Sequence, residues 1–256
     1  VAESEPLEAV VITIPASFDL IQSNATKEAG YKAGFEQVVL LQEPIAASLA
    51  YANMKKTKEL VDGQWLVYDL GGGTFDVALI RIKDGEMKVI DHEGDNFLGG
   101  SDFDSLIIEK LVIPKICGEY SFDNLEDQMK SASGKYNTNY YSLLYKAEEA
   151  KILLSAVSSA EIIVERMEDE DGNQVDMEIT ITRSEFHNLI QPSIDRTIAM
   201  IKTILTRNSL TANDIQFNLM VGGSTFIPYV RQRVEEVLQI SANCEIDPTT
   251  AIAVGA

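Results

Sequence analysis

The sequence predicts an α/β fold of stacked helix and sheet layers, and three observations point there. From Ala9 to Ala52, short apolar β-branched runs alternate with segments of helical period, the order that parallel strands joined by crossover helices require. The first run, AVVITI at 9–14, is apolar at nearly consecutive positions, as in a strand covered on both faces. A later run, WLVYDL at 65–70, passes through Gly71-Gly72-Gly73 into a further strand-like stretch, so an antiparallel meander is expected there.

Taken in order, the first strand ends at Pro15, which has no N–H to donate. From Asp19 to Gly34, the four-residue recurrence of Ile21, Ala25, Ala29 and Ala33 predicts an amphipathic helix buried on that face, with Gly30 and Gly34 punctuating its end. VVLLQ at 38–42 is the second strand. Glu43-Pro44 opens a second helix, since proline is tolerated at a first helical position, and the alanines through 46–52 permit close packing. Lys55 to Gly63 is a polar connection. The strands at 65–70 and 74–82, with Lys83-Asp84-Gly85 turning into 87–91, form a meander. Asp102 to Ile116 has helical spacing, 118–139 is polar and without clear period, and 143–154 is helical again. Val175, Met177, Ile179 and Ile181 alternate with polar residues beyond Glu170-Asp171-Gly172, predicting a half-buried hairpin. Ile190, Ile194, Ile198, Ile201 and Leu205 mark one face of a long helix that contains Pro192; a strand at 217–221 and a helix at 228–238 follow.

Composition bounds the function. At 256 residues, 45% hydrophobic and 24% charged, the chain is long enough for one large domain or two moderate ones with a real core. Forty acidic against 21 basic residues leave a net charge of −19, which repels a phosphate backbone at long range and argues against nucleic acid. A nucleotide is not excluded, because backbone N–H groups and a divalent cation hold a phosphate locally. No apolar run reaches the roughly eighteen residues of a membrane span, and Val1-Ala2-Glu3-Ser4-Glu5 is acidic, unlike a signal peptide. The expected setting is cytoplasmic, with no membrane partner. Cys117 and Cys244 stand far apart, and with His92 and His187 they indicate neither a disulfide framework nor a zinc site. All four read as packing or surface residues.

The chemistry concentrates at Asp69-Leu70-Gly71-Gly72-Gly73-Thr74-Phe75-Asp76, where a buried strand ends in an acid, turns through three glycines and leaves with a second acid. Without Cβ atoms the turn can point successive N–H groups at an anion, Thr74 adds a hydroxyl, and Asp69 can hold a magnesium ion through water. A glycine-rich hairpin without ligand is the bland alternative. The segment is not a Walker loop, lacking a following Lys-Ser/Thr, nor a dinucleotide turn, since Asp76 occupies the place of the third glycine.

DLGGGTFDVALI resembles the second phosphate motif of the heat-shock 70-kilodalton chaperones, within the actin, hexokinase and sugar-kinase superfamily. VVITIPASF, ATKEAGYKAGF and QEPIAASLAYA upstream, and GDNFLGGSDFD, KAEEAKILLS, LMVGGSTFIP and DPTTAIAVGA downstream, are similar to that family's segments in the same order, over residues 8 to 256. The resemblance implies an actin-like ATPase (ribonuclease H-like) fold with a complete lobe II and part of lobe I. Residues 1–56 would belong to lobe I, 57–98 and 184–244 to the lobe II core, 99–183 to its inserted subdomain, and 245–256 to a return to lobe I. It implies ATP/ADP and Mg²⁺ as ligands. Glu43 and Asp69 would organise the ion and its waters, Gly71, Gly72, Gly73 and Thr74 would contact phosphate, and Asp76 would lie near the attacking water. Glu148, Lys151, Ser155, Gly222, Gly223 and Ser224 fall where the family contacts ribose and adenine, and Gly99, Gly100 and Ser101 on the cleft wall. Implied partners are unfolded polypeptides, a J-domain co-chaperone and a nucleotide-exchange factor, in a stress-response setting. Taken singly, Glu148 and Lys151 could equally be a solvated ion pair on one helix face, and Gly222-Gly223-Ser224 only a tight connection.

Three departures matter. Where most members clamp adenine between two arginines, this chain has Ile152 and Phe226, and Ser17 and Ser23 replace a tyrosine and an arginine associated with interdomain signalling. An apolar residue and a ring can still sandwich a base by stacking, so altered affinity or base selectivity is expected. The chain begins at Val1 without methionine and ends in structured-looking sequence; both ends are expected to be cuts, with the family's first phosphate loop lying outside and turnover by this piece alone very poor. The readings left open are a chaperone ATPase domain, a regulatory or co-chaperone nucleotide-binding module with little turnover, and a small-molecule kinase of the same superfamily.

Overall fold

The computed structural model describes residues 8–54, 62–243 and 245–256. Most of the connection expected at 55–63, the acidic first residues and Cys244 lie outside the described residues.

Strands β1 (Ala9–Ile14) and β2 (Gln37–Gln42) pair in parallel, Ala9 with Gln37 through Ile14 with Gln42, as the strand–helix–strand order requires. Helix α1 (Leu20–Lys32) between them starts at Asp19, whose carboxylate accepts from the Gln22 amide at 2.8 Å while the Gln22 side chain accepts from the Asp19 amide. The buried face of α1 differs from the alanine row read from the sequence. Ala25 and Ala29 are exposed, and Ile21 is 80% exposed; Ser23, Thr26 and Gly30 face the sheet instead. Small size selects this face, since a Cβ on Gly30 would stand 2.9 Å from Val38 Cγ2 and 3.1 Å from Ile12 Cδ1. Nor is β1 covered on both faces: Val11 and Val39, paired in register, are 40% and 57% exposed.

The central sheet has the order β5 (Glu86–Asp95), β4 (Phe75–Lys83), β3 (Gly63–Leu70) and β8 (Phe217–Val221), antiparallel except for the parallel β3–β8 pair. Side-chain alternation divides its core. Leu66, Tyr68, Leu70, Phe75, Val77 and Leu79 pack under the long helix α7 (Arg183–Arg207), with α8 (Pro228–Leu238) beside it. Trp65, Val67, Ile80, Ile82, Leu219 and Val221 point the other way, against α2 (Glu43–Met54) and α9 (Ala251–Gly255). Helix α9 lies on α2 so closely that a Cβ on Gly255 would collide with the Ala46 backbone.

The helix read over 102–116 is interrupted. It runs as α3 (Gly100–Ile107), a π-helical turn at Ile108–Val112, and α4 (Ile113–Glu119). Pro114 has no N–H for an α-helical bond and its ring crowds the carbonyl four residues earlier, so the helix widens just before it. The polar stretch 118–139 contains α5 (Leu125–Lys130) and the start of α6 (Asn137–Leu154), held by buried Leu125, Met129 and Tyr136, whose hydroxyl donates to the Glu168 carbonyl at 2.8 Å. One and a half turns with two buried side chains leave too little period to read. The hairpin β6 (Ser159–Glu168) and β7 (Gln174–Thr182) is half-buried as expected and packs on α6.

Candidate functional site

Three glycine turns interlock at one end of the central sheet. The turn between β3 and β4 is closed by the Gly71 amide donating to the Thr74 carbonyl at 3.0 Å, which leaves Asp69 and Asp76 paired across the strands. The start of α3 grips this turn. The Gly100 amide donates to the Gly71 carbonyl at 3.0 Å, and the Ser101 amide and hydroxyl donate to the Gly72 carbonyl at 2.7 and 2.6 Å. Helix-terminal N–H groups without intrahelical partners are thereby satisfied by the turn's carbonyls. The third turn follows β8, where the Ser224 hydroxyl donates to the Gly71 carbonyl at 2.9 Å. Only glycine fits at two of these junctions. A Cβ on Gly99 would lie 2.6 Å from the Gly72 carbonyl oxygen, and Gly222 has φ +84° with its Cβ position 2.6 Å from Asp69 Oδ1. Gly72 and Gly73 have open space beside them.

On one side of the interlock lies a cavity of about 700 Å³. It is lined by Gly72, Gly100, Ser101, Gly223 and Ser224 of the glycine turns, by Glu148, Lys151 and Ile152 of α6 with Ser155 just past its end, and by Phe226. Gly71, Gly73, Gly99 and Gly222 do not line it. Ile152 and Phe226 are 62% and 44% exposed, apolar surfaces at the rim. Asp104, Arg231 and Thr249 also line the cavity and were not read from the sequence; a glycine turn advertises itself, whereas a charged residue inside a helix carries no local mark. Lys151 does not need Glu148 as a partner: its ammonium donates to Asp104 Oδ2 at 2.8 Å and to the Gly100 carbonyl at 3.0 Å. Burial pushes the Asp104 carboxyl up, with Lys151 pulling it back, and Asp104 Oδ1 is buried without a hydrogen-bond partner.

On the other side, Glu43, Asp69 and Asp76 border a void of about 10 Å³ with Ala16, Pro44 and Val67, room for about one water. Burial, then the charges of Glu43 and Asp76, push the Asp69 carboxyl up to about 7. Burial pushes Asp76 up to about 6, against the pull of His92 and the Ser17 hydroxyl, and burial followed by the Asp76 charge raises Glu43. Asp76 Oδ1 is buried and unpartnered. Three mutually repelling carboxylates, one with an orphan oxygen, fit a cation held nearby. Among the described residues no three His, Cys, Asp or Glu side chains converge to ligate a metal ion directly. His92, read as a packing or surface residue, belongs to this charge cluster.

The layered α/β chain thus sets its interlocked glycine turns between a cavity of about 700 Å³ and a carboxylate cluster. The family model described as Hsp70 protein matches residues 2–256, and the chain belongs to that family. It is 38% identical over 252 residues to the Chaperone protein DnaK of Metamycoplasma hominis, covering 98% of this chain and 40% of that protein. It is 39% identical over 250 residues to that of Mycoplasmopsis pulmonis, with 98% and 40% covered, and 38% identical over 252 residues to the Chaperone protein dnaK of Cyanophora paradoxa, with 98% and 38% covered. The chain thus spans about two fifths of the length of these curated relatives. Among the described residues no helix is long and apolar enough to cross a membrane.

Proposed function

We propose that the chain is the nucleotide-binding and ATP-hydrolysing part of an Hsp70-type chaperone, taking ATP to ADP and phosphate and coupling that cycle to polypeptide binding elsewhere in the intact protein. One observation carries this reading: the three glycine turns interlock between a 700 Å³ cavity and a carboxylate cluster. Backbone N–H groups of Gly72 and Gly73 with the Thr74 hydroxyl would hold phosphate, on a turn that Gly71 closes by donating to the Thr74 carbonyl. Glu148, Lys151 and Ser155 would flank the ribose and base, with Ile152 and Phe226 on either face of the ring. Glu43 and Asp69 would hold Mg²⁺ through its waters, and the ion would offset phosphate charge. Asp76, with its carboxyl raised to about 6, suits proton acceptance from the attacking water near neutral pH. Residues 1–56 and 245–256 would belong to lobe I, 57–98 and 184–244 to the lobe II core and 99–183 to its insert; the packing of α2 on α9, across the sheet from α7, supports that division. Unfolded polypeptides, a J-domain co-chaperone and an exchange factor are the partners that follow from this reading, and the cytoplasm under stress its setting.

Calorimetric titration of ADP and ATP with Mg²⁺ into the intact protein, followed by phosphate release, tests the proposal. Asp69→Asn is expected to lower phosphate release about 10²-fold or more with a smaller effect on ADP binding; absence of nucleotide binding in the unmodified protein overturns it. The apolar pair Ile152 and Phe226 favours one competing reading, a regulatory nucleotide-binding module, which binding without phosphate release would select.

A further inference from the structure

We infer that Arg231 is a base-positioning residue of this cavity, its guanidinium reaching from α8 over the Phe226 ring. This rests on the nucleotide reading above and deepens it. Phe226 ends the third glycine turn, and Arg231 lies one turn into α8. The Arg231 side chain reaches back so that Nε donates to the Thr225 carbonyl at 2.7 Å, which sets the guanidinium over the Phe226 ring with Cζ 5.4 Å from the ring centroid. Both residues line the cavity, as do Ile152 and Ser155. Among the described residues no carboxylate pairs with Arg231, whereas Arg233, two positions on, is tied to Asp195 and Glu236. Arg231 is therefore a cation reserved for the cavity wall of a chain that is strongly acidic overall.

Two consequences follow from the geometry. The backbone anchor and the stacked guanidinium hold an otherwise half-exposed ring in one orientation before any ligand arrives, so less freedom is lost on binding. The cation also polarises the ring, and its planar fork offers donors that a lysine could not present in the same plane. Phe226 and Arg231 act as one unit: the ring stacks on the base and the guanidinium holds the ring.

The test is a double-mutant cycle on the intact protein, read by calorimetric titration of ADP and, separately, adenosine. Arg231→Gln is expected to weaken both ligands by a similar factor, roughly 3- to 10-fold, with the ligand-free unfolding midpoint unchanged. Phe226→Leu is expected to cost a comparable factor, and adding Arg231→Gln to it to cost nothing further. Equal affinity of Arg231→Gln and the unmodified protein, or additive losses in the double variant, overturns the inference. A loss confined to ADP overturns it too, because the cation would then serve the phosphates. Failure of the unmodified protein to bind either ligand sinks the nucleotide reading itself, a result distinct from any of these.

Discussion

His187 stacks on Tyr229 with ring centroids 5.1 Å apart, and its Nε2 is buried without a hydrogen-bond partner. Burial, then the Arg183 charge, holds its pKa below the usual histidine value. The unfolded chain then takes up a proton at higher pH than the folded one. The residue's contribution to stability is thus full above about pH 6.5 and falls as pH drops through the lowered folded value. His187→Gln is expected to flatten the loss of stability between about pH 7 and pH 5; parallel urea-midpoint profiles for the two proteins would refute this. The sequence marked His187 as a packing or surface residue and could not separate it from His92, which pairs in register with Ala78 on β4 and whose charge reaches Asp76. The same limit applies to Lys151. A helix periodicity offers Glu148, three residues away, whereas the fold supplies Asp104 from another helix.

At the scale of elements, the grip of α3 on the glycine turn is a steric fit as well as a set of hydrogen bonds. Gly99→Ala would drive a methyl group into the Gly72–Gly73 backbone. An expected loss of about 1–3 kcal/mol in stability, together with weakened nucleotide binding, can be measured by urea unfolding and calorimetry; a variant as stable and as avid as the parent would show that the turns are not interlocked. Most strand boundaries followed from alternation and turn residues because these act over a few positions, but β5, read over 87–91, runs on to Asp95 along its partner β4. The burial of α1 did not follow, since the row Ile21, Ala25, Ala29 is as periodic as Ser23, Thr26, Gly30, and only the shape of Val38 and Ile12 beneath the helix decides between them.

Across the whole molecule, the central sheet is covered on both faces while the β1–β2 pair shows Val11 and Val39 to solvent, and Leu20 and Ile21 at the start of α1 are 78% and 80% exposed. The paired Val11 and Val39 leave an uncovered apolar sheet face, which favours association. Light scattering on residues 1–256 is expected to reveal oligomers at micromolar concentration that Val11→Lys with Val39→Lys disperses; a monodisperse monomer would refute it. Family membership, the succession of elements and the glycine and acid motifs were all legible in the chain, because turn geometry and motif spacing are local and survive without neighbours. The partition into two chambers, the carboxylates raised by shared burial, the Lys151–Asp104 pair and the cation behind Phe226 were decided by tertiary packing. Each depends on side chains from separate helices and strands meeting at a few ångströms, a distance that no local pattern encodes.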